Sequence, residues 1–302
     1  MEHLVLGLVL LLAGTLAAGN PLIPRDLELI KKIRLDMATN SFDDQYLGCS
    51  RKMETELGKL NSTEFKNKDY KKAWIKATAE WRNRTGSVPK VRALRTEHAV
   101  ALMAYTLESP LYEKFNAAVR EAGRSHREYQ DKFHFKVLHF LLTQAVSILW
   151  EAQPHRCYNV YRGVKNIRFI AWPKDLVRFG QFTSTSLQKE EAEEFGHDTF
   201  FSVYTCYGVP IQKYSYFSDE NEVLIPPYET FEVTNITLNG KRAHIHLRST
   251  GTFSRYNCEW LKEKRCQGKP CVFSAGRSIV GNTPLLWGLL LAATTLAASG
   301  GP

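Results

Sequence analysis

The chain has 302 residues and a formal net charge of +9 at pH 7. A basic surface of this kind favours anionic partners such as phosphates or cell-surface glycans. The sequence has no long run of Lys or Arg and no nucleic-acid-binding motif, so nucleic acid is not expected as a partner. It also contains no G-x-G-x-x-G fingerprint and no P-loop, which excludes a nucleotide site of those two kinds.

Both ends of the chain carry apolar runs that are typical of processing signals. Residues 4–12 are apolar and residues 13–19 are rich in small side chains, which predicts a secretory signal peptide over residues 1–19. Near the other end, the small residues 274–276 precede a polar spacer and an apolar run over 285–298. That run is shorter than the ~20 residues of a membrane span, and the layout is that of a GPI-attachment signal. We expect residues 274–302 to be such a spacer and tail; the alternatives are a plain hydrophobic tail on a secreted protein and a weak transmembrane anchor.

Between these ends, residues 20–273 are long enough for one domain with a real core. A chain with a signal peptide is expected to form disulfides, although cysteine spacing alone does not select the pairing. The six cysteines are Cys49, Cys157, Cys206, Cys258, Cys266 and Cys271. Sequons for N-glycosylation agree with an extracellular glycoprotein. They lie at Asn61, Asn83 and Asn235.

The hydrophobic spacing is helical up to about residue 155. Helices are predicted over residues 70–82, 96–107, 111–122 and 133–151. In the first of them, Trp74 and Trp81 are interpreted as core side chains rather than as an aromatic platform. The last is apolar enough to be buried on most sides.

Beyond Cys157 the pattern becomes short and alternating, which indicates strands. Strands are predicted over residues 158–161, 181–186, 199–206, 214–217, 222–225, 230–236 and 244–247. A short helix over 189–195 interrupts them, with its acidic residues early, where the helix dipole favours them. Helices followed by strands predict an α+β domain rather than a parallel α/β sheet.

The most suggestive stretch for chemistry is residues 218–227. Glu220 and Glu222 lie two apart ahead of an apolar strand, so in an extended chain both side chains face the same side. Two carboxylates on one face raise the pKa of at least one of them unless a cation or hydrogen bonds intervene. Such a pair can serve acid–base or cation-stabilising chemistry. The alternative interpretation is a charged strand edge that blocks aggregation.

Two further strand-borne motifs could belong to the same site. Arg162 is placed at a strand end before Gly163, so its guanidinium can approach a phosphate or carboxylate without crowding. Ser184 and Ser186 alternate onto one face of their strand, where a hydroxyl can orient a carboxylate by donating a hydrogen bond. Taken singly, these motifs are explained as well by a surface arginine and an ordinary polar strand edge.

Taken together, the three motifs resemble the Arg-Ser-Glu triad of arginine-specific mono-ADP-ribosyltransferases. Tyr-Arg-Gly, Phe-x-Ser-Thr-Ser and Glu-x-Glu-Val-Leu-Ile-Pro-Pro follow one another at residues 161–163, 182–186 and 220–227. Segments at residues 41–46, 98–100, 191–196 and 254–258 are also similar to vertebrate ecto-ADP-ribosyltransferases. The resemblance therefore covers nearly the whole chain between its two processing signals.

The resemblance implies an ADP-ribosyltransferase fold, with an N-terminal helical part packed on a mostly antiparallel, two-sheet β core. It implies transfer of ADP-ribose from NAD, with NADP as a second candidate, to arginine side chains of extracellular or cell-surface proteins or to small guanidino compounds. NAD is then a consumed substrate, nicotinamide is released and no metal is needed. The protein would be secreted or held at the cell surface by a lipid anchor. The alternatives on the same fold are an NAD glycohydrolase and a catalytically silent cell-surface antigen.

The same resemblance assigns roles to individual residues. Arg162 would hold the phosphates or ribose of the dinucleotide, and Ser184 would hydrogen-bond the catalytic carboxylate and the nicotinamide ribose. Glu222 would be the catalytic glutamate and Glu220 the residue that makes arginine the acceptor. Further NAD contacts are implied at Tyr105, Gln181 and Ser215. The implied disulfides are Cys49 with Cys258 and Cys157 with Cys206, which leaves Cys266 and Cys271 as an extra pair or free thiols.

These residue types suit the chemistry. Cleavage of the bond between nicotinamide and ribose passes through an oxocarbenium-like state. A preorganised carboxylate such as Glu222 stabilises that charge. The incoming arginine is protonated, and a second carboxylate at Glu220 can bind its guanidinium and assist the loss of its proton.

Overall fold

The computed structural model describes residues 30–265, except residues 155, 219 and 241. The predicted signal peptide, the predicted C-terminal tail, Cys266 and Cys271 lie outside the described residues.

The N-terminal half of the described chain is helical after one short strand, β1 (Lys31–Arg34). Its helices are α1 (Ser50–Glu64), α2 (Lys68–Arg84), α3 (Thr96–Thr106), α4 (Pro110–Ala122), α5 (His126–Lys132) and α6 (Lys136–Ala152). Three of them match the predicted helices over 70–82, 96–107 and 111–122 to within two residues at each end. Trp81 is buried and Trp74 packs against the same core, as predicted for α2.

The predicted helix over 133–151 begins only at Lys136, and α5 precedes it as a separate helix. The reason is a contact from outside the segment. The buried Glu64 carboxylate, at the end of α1, accepts hydrogen bonds from the backbone N–H groups of Lys136 (2.6 Å) and Val137 (3.0 Å). These are two of the N–H groups that a helix leaves unpaired at its start, so Glu64 fixes where α6 begins.

The C-terminal half is built of strands. They are β2 (Tyr158–Val164), β3 (Ile167–Ile170), β4 (Leu176–Val177), β5 (Thr183–Ser186), β6 (Thr199–Thr205), β7 (Val209–Pro210), β8 (Glu222–Ile225), β9 (Glu229–Asn239) and β10 (Arg242–Thr252). Two short helices accompany them, α7 (Lys189–Glu194) and α8 (Glu259–Arg265). The fold is therefore α+β, as predicted.

The strands form two sheets. The larger has the order β4-β9-β10-β6-β2-β5-β8-β7 and is antiparallel except between β10 and β6. The smaller pairs β1 with β3 in parallel. The large sheet narrows in its middle, because β2 and β5 share the single registered pair Tyr161–Ser186. The helices pack on the part of the sheet formed by β5, β8 and β7, where Phe182 and Leu224 belong to the hydrophobic core of the helical half. A second hydrophobic core lies under the rest of the sheet.

The predicted strand over 214–217 is wrong, because this segment is a loop. The N–H groups of Tyr214 and Ser215 bond to the carbonyl of Ile211, and three other backbone groups bond to side chains of the helical half. Arg84 donates to the carbonyls of Ser215 (3.0 Å) and Tyr216 (3.1 Å), and the Tyr216 N–H donates to Thr106 Oγ1 (2.8 Å). Alternating hydrophobicity does not reveal this long-range attachment.

Two disulfides tie the fold together, and they are the two pairs that the resemblance implies. Cys49 bonds Cys258, linking the start of α1 to the start of α8, and Cys157 bonds Cys206 beside the paired ends of β2 and β6. Among the sequon residues, Asn83 and Asn235 are exposed and Asn61 is half-buried on α1. Their glycosylation stays a prediction.

Within the described part of the chain, no helix by itself has the length and apolar character to cross a bilayer. Only α5 and α6, taken as a sharply bent pair, meet that test by length and composition.

Candidate active site

Glu222 lies at the centre of the site, at the first residue of β8. Only 5% of it is exposed. Its carboxylate accepts hydrogen bonds from the hydroxyls of Ser184 and Ser215. Burial raises the pKa of Glu222 from 4.5 to about 6, and the two hydroxyls oppose that rise. The carboxylate is therefore held in place by two donors and is easier to protonate than an exposed glutamate.

Ser184 and Ser186 lie on the same face of β5 but have different hydrogen-bond partners. Ser186 lies directly opposite Glu222, and Ser184 opposite Leu224. The diagonal neighbour Ser184 nevertheless reaches the Glu222 carboxylate. The Ser186 hydroxyl is engaged elsewhere, 2.5 Å from Glu191 Oε2 and 3.0 Å from the carbonyl of Glu220.

Arg162 approaches from β2, across the narrow junction of the sheet. Its Nη1 donates to the carbonyl of Ser184 at 2.7 Å, and its guanidinium also hydrogen-bonds the Tyr112 side chain. Burial opposes the guanidinium charge, but Tyr112 and the Glu222 carboxylate outweigh it, so the pKa of Arg162 lies above its ordinary value. Arg162 is therefore a fixed cation close to Glu222.

Gly163 serves a different purpose from the one expected. β2 continues to Val164, so Arg162 lies within the strand rather than at its end. A Cβ at Gly163 would lie 2.2 Å from the carbonyl oxygen of Ala192 and 2.4 Å from that of Gly196. The missing side chain therefore makes room for α7 and the residues after it, not for a ligand.

Glu220 and Glu222 are brought together by a turn, not by the extended strand that was expected. Asn221 has a φ of 45°, in the left-handed region that Asn tolerates better than most residues, and β8 starts only at Glu222. The Asn221 carbonyl accepts from the N–H of Leu187 at 3.1 Å. The Glu220 charge adds to the rise in the pKa of Glu222, so the two carboxylates still lie near each other.

Ser215 is fully buried in the loop that precedes Glu222. Arg84 of α2 holds the loop through two carbonyl groups, and Tyr214 packs against Trp81 with ring centroids 5.8 Å apart. The helical half thus positions one of the two hydroxyls on Glu222. An NAD contact of Ser215 stays a prediction.

Tyr105 and Gln181 flank the start of β5. Tyr105 is fully buried, its hydroxyl donates to the carbonyl of Phe182 at 2.7 Å, and Asn116 Nδ2 donates to that hydroxyl at 3.1 Å. In this arrangement Tyr105 supports the strand that carries Ser184. The Gln181 side-chain oxygen accepts a hydrogen bond from Arg120. Contacts of Tyr105 and Gln181 with NAD stay predictions.

Sequence reasoning missed three residues that organise the site: Tyr112, Asn116 and Arg84. Tyr112 and Asn116 lie one turn apart on α4, and Asn116 is almost fully buried. A polar residue on the apolar face of a predicted helix is the signal that could have found Asn116. No local pattern marks this role of Arg84, because the Ser215 and Tyr216 carbonyls that it binds lie more than 130 residues away in the sequence.

The cluster pairs a cationic side with an acidic side. The cationic side consists of Arg162 and of Arg120, which hydrogen-bonds Gln181, and it suits the phosphates of a dinucleotide. The acidic side consists of Glu222 and Glu220, and it suits a group that carries or develops positive charge. Among the described residues, no group of three or more His, Cys, Asp or Glu side chains could hold a metal ion.

The profile of the NAD:arginine ADP-ribosyltransferase family matches residues 35–255, which include every residue of this cluster. The chain belongs to this family. It shares 52% identity over 276 residues, 91% of either chain, with the erythroblast NAD(P)(+)--arginine ADP-ribosyltransferase of Gallus gallus. It shares 46% identity over 308 residues, 96% of this chain and 93% of the other, with the GPI-linked NAD(P)(+)--arginine ADP-ribosyltransferase 1 of Homo sapiens.

Among solved structures, the structure of this chain is similar to the crystal structure of the eukaryotic mono-ADP-ribosyltransferase ART2.2. The match has a TM-score of 0.66 and 39% identity and covers 75% of this chain and 98% of that one. A variant of ART2.2 was also crystallised in complex with NAD. The predicted ADP-ribosyltransferase fold is confirmed.

Proposed function

We propose that this protein transfers ADP-ribose from NAD to the guanidinium group of arginine, with release of nicotinamide. The observation that carries the proposal is the buried Glu222 carboxylate, held by two hydroxyls beside a second carboxylate and a fixed arginine. Membership of the NAD:arginine ADP-ribosyltransferase family supports it.

In this proposal Glu222 stabilises the positive charge that develops on the ribose as nicotinamide leaves. A carboxylate that is already oriented does not have to reorganise as that charge appears, which is why Ser184 and Ser215 matter. The bond between nicotinamide and ribose breaks with its electron pair going to nicotinamide. The new bond forms between the same ribose carbon and a guanidino nitrogen.

Glu220 would act on the acceptor. The acceptor guanidinium enters with a positive charge and must lose one proton as its nitrogen bonds the ribose. A carboxylate next to Glu222 can bind that cation and take the proton. The turn at Asn221 sets where the Glu220 side chain starts, so acceptor choice would depend on this turn.

Arg162 would bind the phosphates or ribose of NAD. Its guanidinium is fixed by Tyr112 and the Ser184 carbonyl. An arginine that is already ordered loses little side-chain entropy when it binds an anion.

The test is product analysis with the full-length protein, NAD and agmatine, a small guanidino compound. ADP-ribosyl-agmatine as the main product supports the proposal. Free ADP-ribose as the only product, with nicotinamide released, would make the protein an NAD glycohydrolase. No nicotinamide release from correctly disulfide-bonded protein would leave a silent cell-surface antigen. NADP is tested in parallel by comparing kcat/KM for the two dinucleotides, and we propose NAD as the better substrate.

We also propose that the protein acts outside the cell, attached to the surface by a GPI anchor. The C-terminal small residues, spacer and apolar run support this, as does the GPI-linked relative from Homo sapiens by its name. Phosphatidylinositol-specific phospholipase C should release the protein from intact cells. Protein that stays on the cells after this treatment would contradict a GPI anchor.

A further inference from the structure

Over β2, β6, β10 and β9, the large sheet has an outer face that the two hydrophobic cores do not cover. The alternate residues of β2, β6 and β10, such as Val160, Val203 and Ile245, are buried in the core beneath. Their neighbours point to the other side, where strand register places them in rows. The rows are Phe200–His244–Thr237, Tyr161–Ser202–His246–Asn235 and Asn159–Tyr204–Arg248–Glu232.

Two adjoining cavities lie on this face, and together we call them the outer groove. One, of about 350 Å³, is lined by Tyr161, Tyr204, His246 and Arg248 among others. The other, of about 300 Å³, is lined by residues that include Lys189, His197, Arg242 and His244. The imidazole rings of His244 and His246 stack 4.2 Å apart between the two cavities.

The outer groove carries more positive than negative charge. Among the described lining residues the one acid, Glu193, is paired with Lys189 (3.5 Å). Glu232, opposite Arg248 in the register, is paired with Lys174 (2.9 Å). Arg242 and Arg248 are exposed, and within the described residues neither is paired with a carboxylate. They lie at the two ends of a seven-residue stretch of β10, which spans about 20 Å in an extended strand.

We propose that the outer groove binds a linear sulfated polysaccharide. Such a chain carries sulfate groups at intervals along its length, which suits two separated guanidiniums joined by a strip of polar and histidine side chains. The positive charge of the outer groove favours an anionic ligand, and the elongated shape of the groove favours a chain over a small ion.

The aromatic side chains of the outer groove favour a polysaccharide over a single-stranded nucleic acid. Nucleic acids of that kind bind through bases stacked on open aromatic faces. Here the rings face other protein groups: Tyr161 stacks with Phe200, and the Arg248 guanidinium lies 5.3 Å from the Tyr204 ring centroid. The two histidine rings stack on each other.

The outer groove lies apart from the catalytic cluster. Its lining contains none of Arg162, Ser184 and Glu222. In the strand order, β5 and β8 lie on one side of β2, whereas β6 and β10 lie on the other. A polysaccharide in the groove would therefore hold the enzyme on a sulfated surface without occupying the NAD site. Asn235 faces the groove opposite His246, so a glycan at that sequon would border the bound chain.

The test measures binding of the full-length protein to immobilised heparin as the NaCl concentration rises. The Arg242→Gln, Arg248→Gln double variant is compared with Arg51→Gln, Arg82→Gln, which removes the same charge from exposed positions on α1 and α2. We expect the groove variant to bind about tenfold more weakly and the control variant to bind as the wild type does. Both variants should keep wild-type rates with NAD and agmatine, and wild-type rates should persist at saturating heparin.

Three results would overturn the proposal. The first is equal weakening in the groove and control variants, which would mean non-specific charge attraction. The second is equal or tighter binding of single-stranded DNA, which would point to a nucleic acid partner. The third is no binding to heparin by either the wild type or an Asn235→Gln variant that lacks the neighbouring sequon. Because the readout is binding, a failure of the proposed catalytic function would leave this result unaffected.

Discussion

The Ser215 hydroxyl, in a loop held by the helical half, hydrogen-bonds the carboxylate of Glu222 on the β-sheet. One side of the Glu222 carboxylate is therefore positioned by α2 through Ser215, and the other side is positioned by β5 through Ser184. The geometry of the site depends on how the two halves pack, and this dependence gives testable consequences away from the triad itself.

Removing the arginine that fixes this loop should lower activity. Arg84→Gln loses the two hydrogen bonds to the carbonyls of Ser215 and Tyr216, which lets the Ser215 hydroxyl move off the Glu222 carboxylate. We expect kcat to fall roughly tenfold, because the Ser215 hydroxyl no longer orients the Glu222 carboxylate. Steady-state kinetics checks this, with Arg82→Gln, an exposed neighbour on α2, as the control. Equal rates for Arg84→Gln and the control would show that the loop needs no such support.

Replacing Glu222 by Gln should stabilise the protein at neutral pH. The pKa of Glu222 is raised by burial from 4.5 to about 6, so the folded protein binds this proton more tightly than the unfolded chain does. Protonated Glu222 therefore stabilises the folded protein relative to ionised Glu222. This stabilisation is complete below pH 4.5 and is lost as the pH rises through 6. A difference of roughly 1.5 pKa units corresponds to about 2 kcal/mol.

Denaturant unfolding at several pH values tests this prediction. Glu222→Gln should gain up to about 2 kcal/mol over the wild type at pH 7.5 and show little difference near pH 4. A gain that does not vary with pH would mean that ionisation of Glu222 is not its cause. Ser184→Ala should behave in the opposite sense at pH 7.5, because it removes a hydrogen bond that favours the ionised form.

Glu64 should be a strong determinant of stability although it lies outside the active site. Glu64→Ala leaves the N–H groups of Lys136 and Val137 buried without their acceptor, which should cost about 3 kcal/mol in the free energy of unfolding. Thr63→Ala, an exposed neighbour on α1, is the control and should change stability by less than about 0.5 kcal/mol. A loss for Glu64→Ala no larger than that of the control would contradict the capping role.

The two disulfides should differ in their effect on stability. The Cys49–Cys258 bond spans 209 residues of sequence and Cys157–Cys206 spans 49. In the chain-entropy model these loops correspond to about 5 and about 4 kcal/mol. Thermal unfolding of the two paired Cys→Ser variants should therefore give a lower Tm for the variant without Cys49–Cys258. The reverse order would mean that local packing, rather than loop length, decides the effect.

The sequence predicts the strand-borne motifs better than it predicts their surroundings. The spacing of Arg162, Ser184 and Glu222 was enough for the resemblance to the family, because these residues lie in short segments with a fixed order. Their convergence depends on the single pair between β2 and β5, a feature of sheet topology that no local pattern contains.

Secondary structure predicted from the sequence is wrong where long-range contacts override local preference. Residues 214–217 alternate like a strand but bond to α2 and α3, and α6 starts where Glu64 caps it rather than where its apolar run begins. The sequence pattern does not predict α1, because few of its residues are buried and its apolar stripe is thin. The sequence predicts an extended chain between the two glutamates, whereas Asn221 has a left-handed backbone conformation.

The most direct test of the central claim is the fate of NAD in Glu222→Gln and Glu220→Gln. Nicotinamide release and ADP-ribosyl-agmatine are measured together with the full-length wild type and both variants. We predict that Glu222→Gln loses nicotinamide release by about a thousandfold or more. Glu220→Gln should still release nicotinamide but give mainly free ADP-ribose. Labelling of agmatine by Glu222→Gln at the wild-type rate would contradict the account.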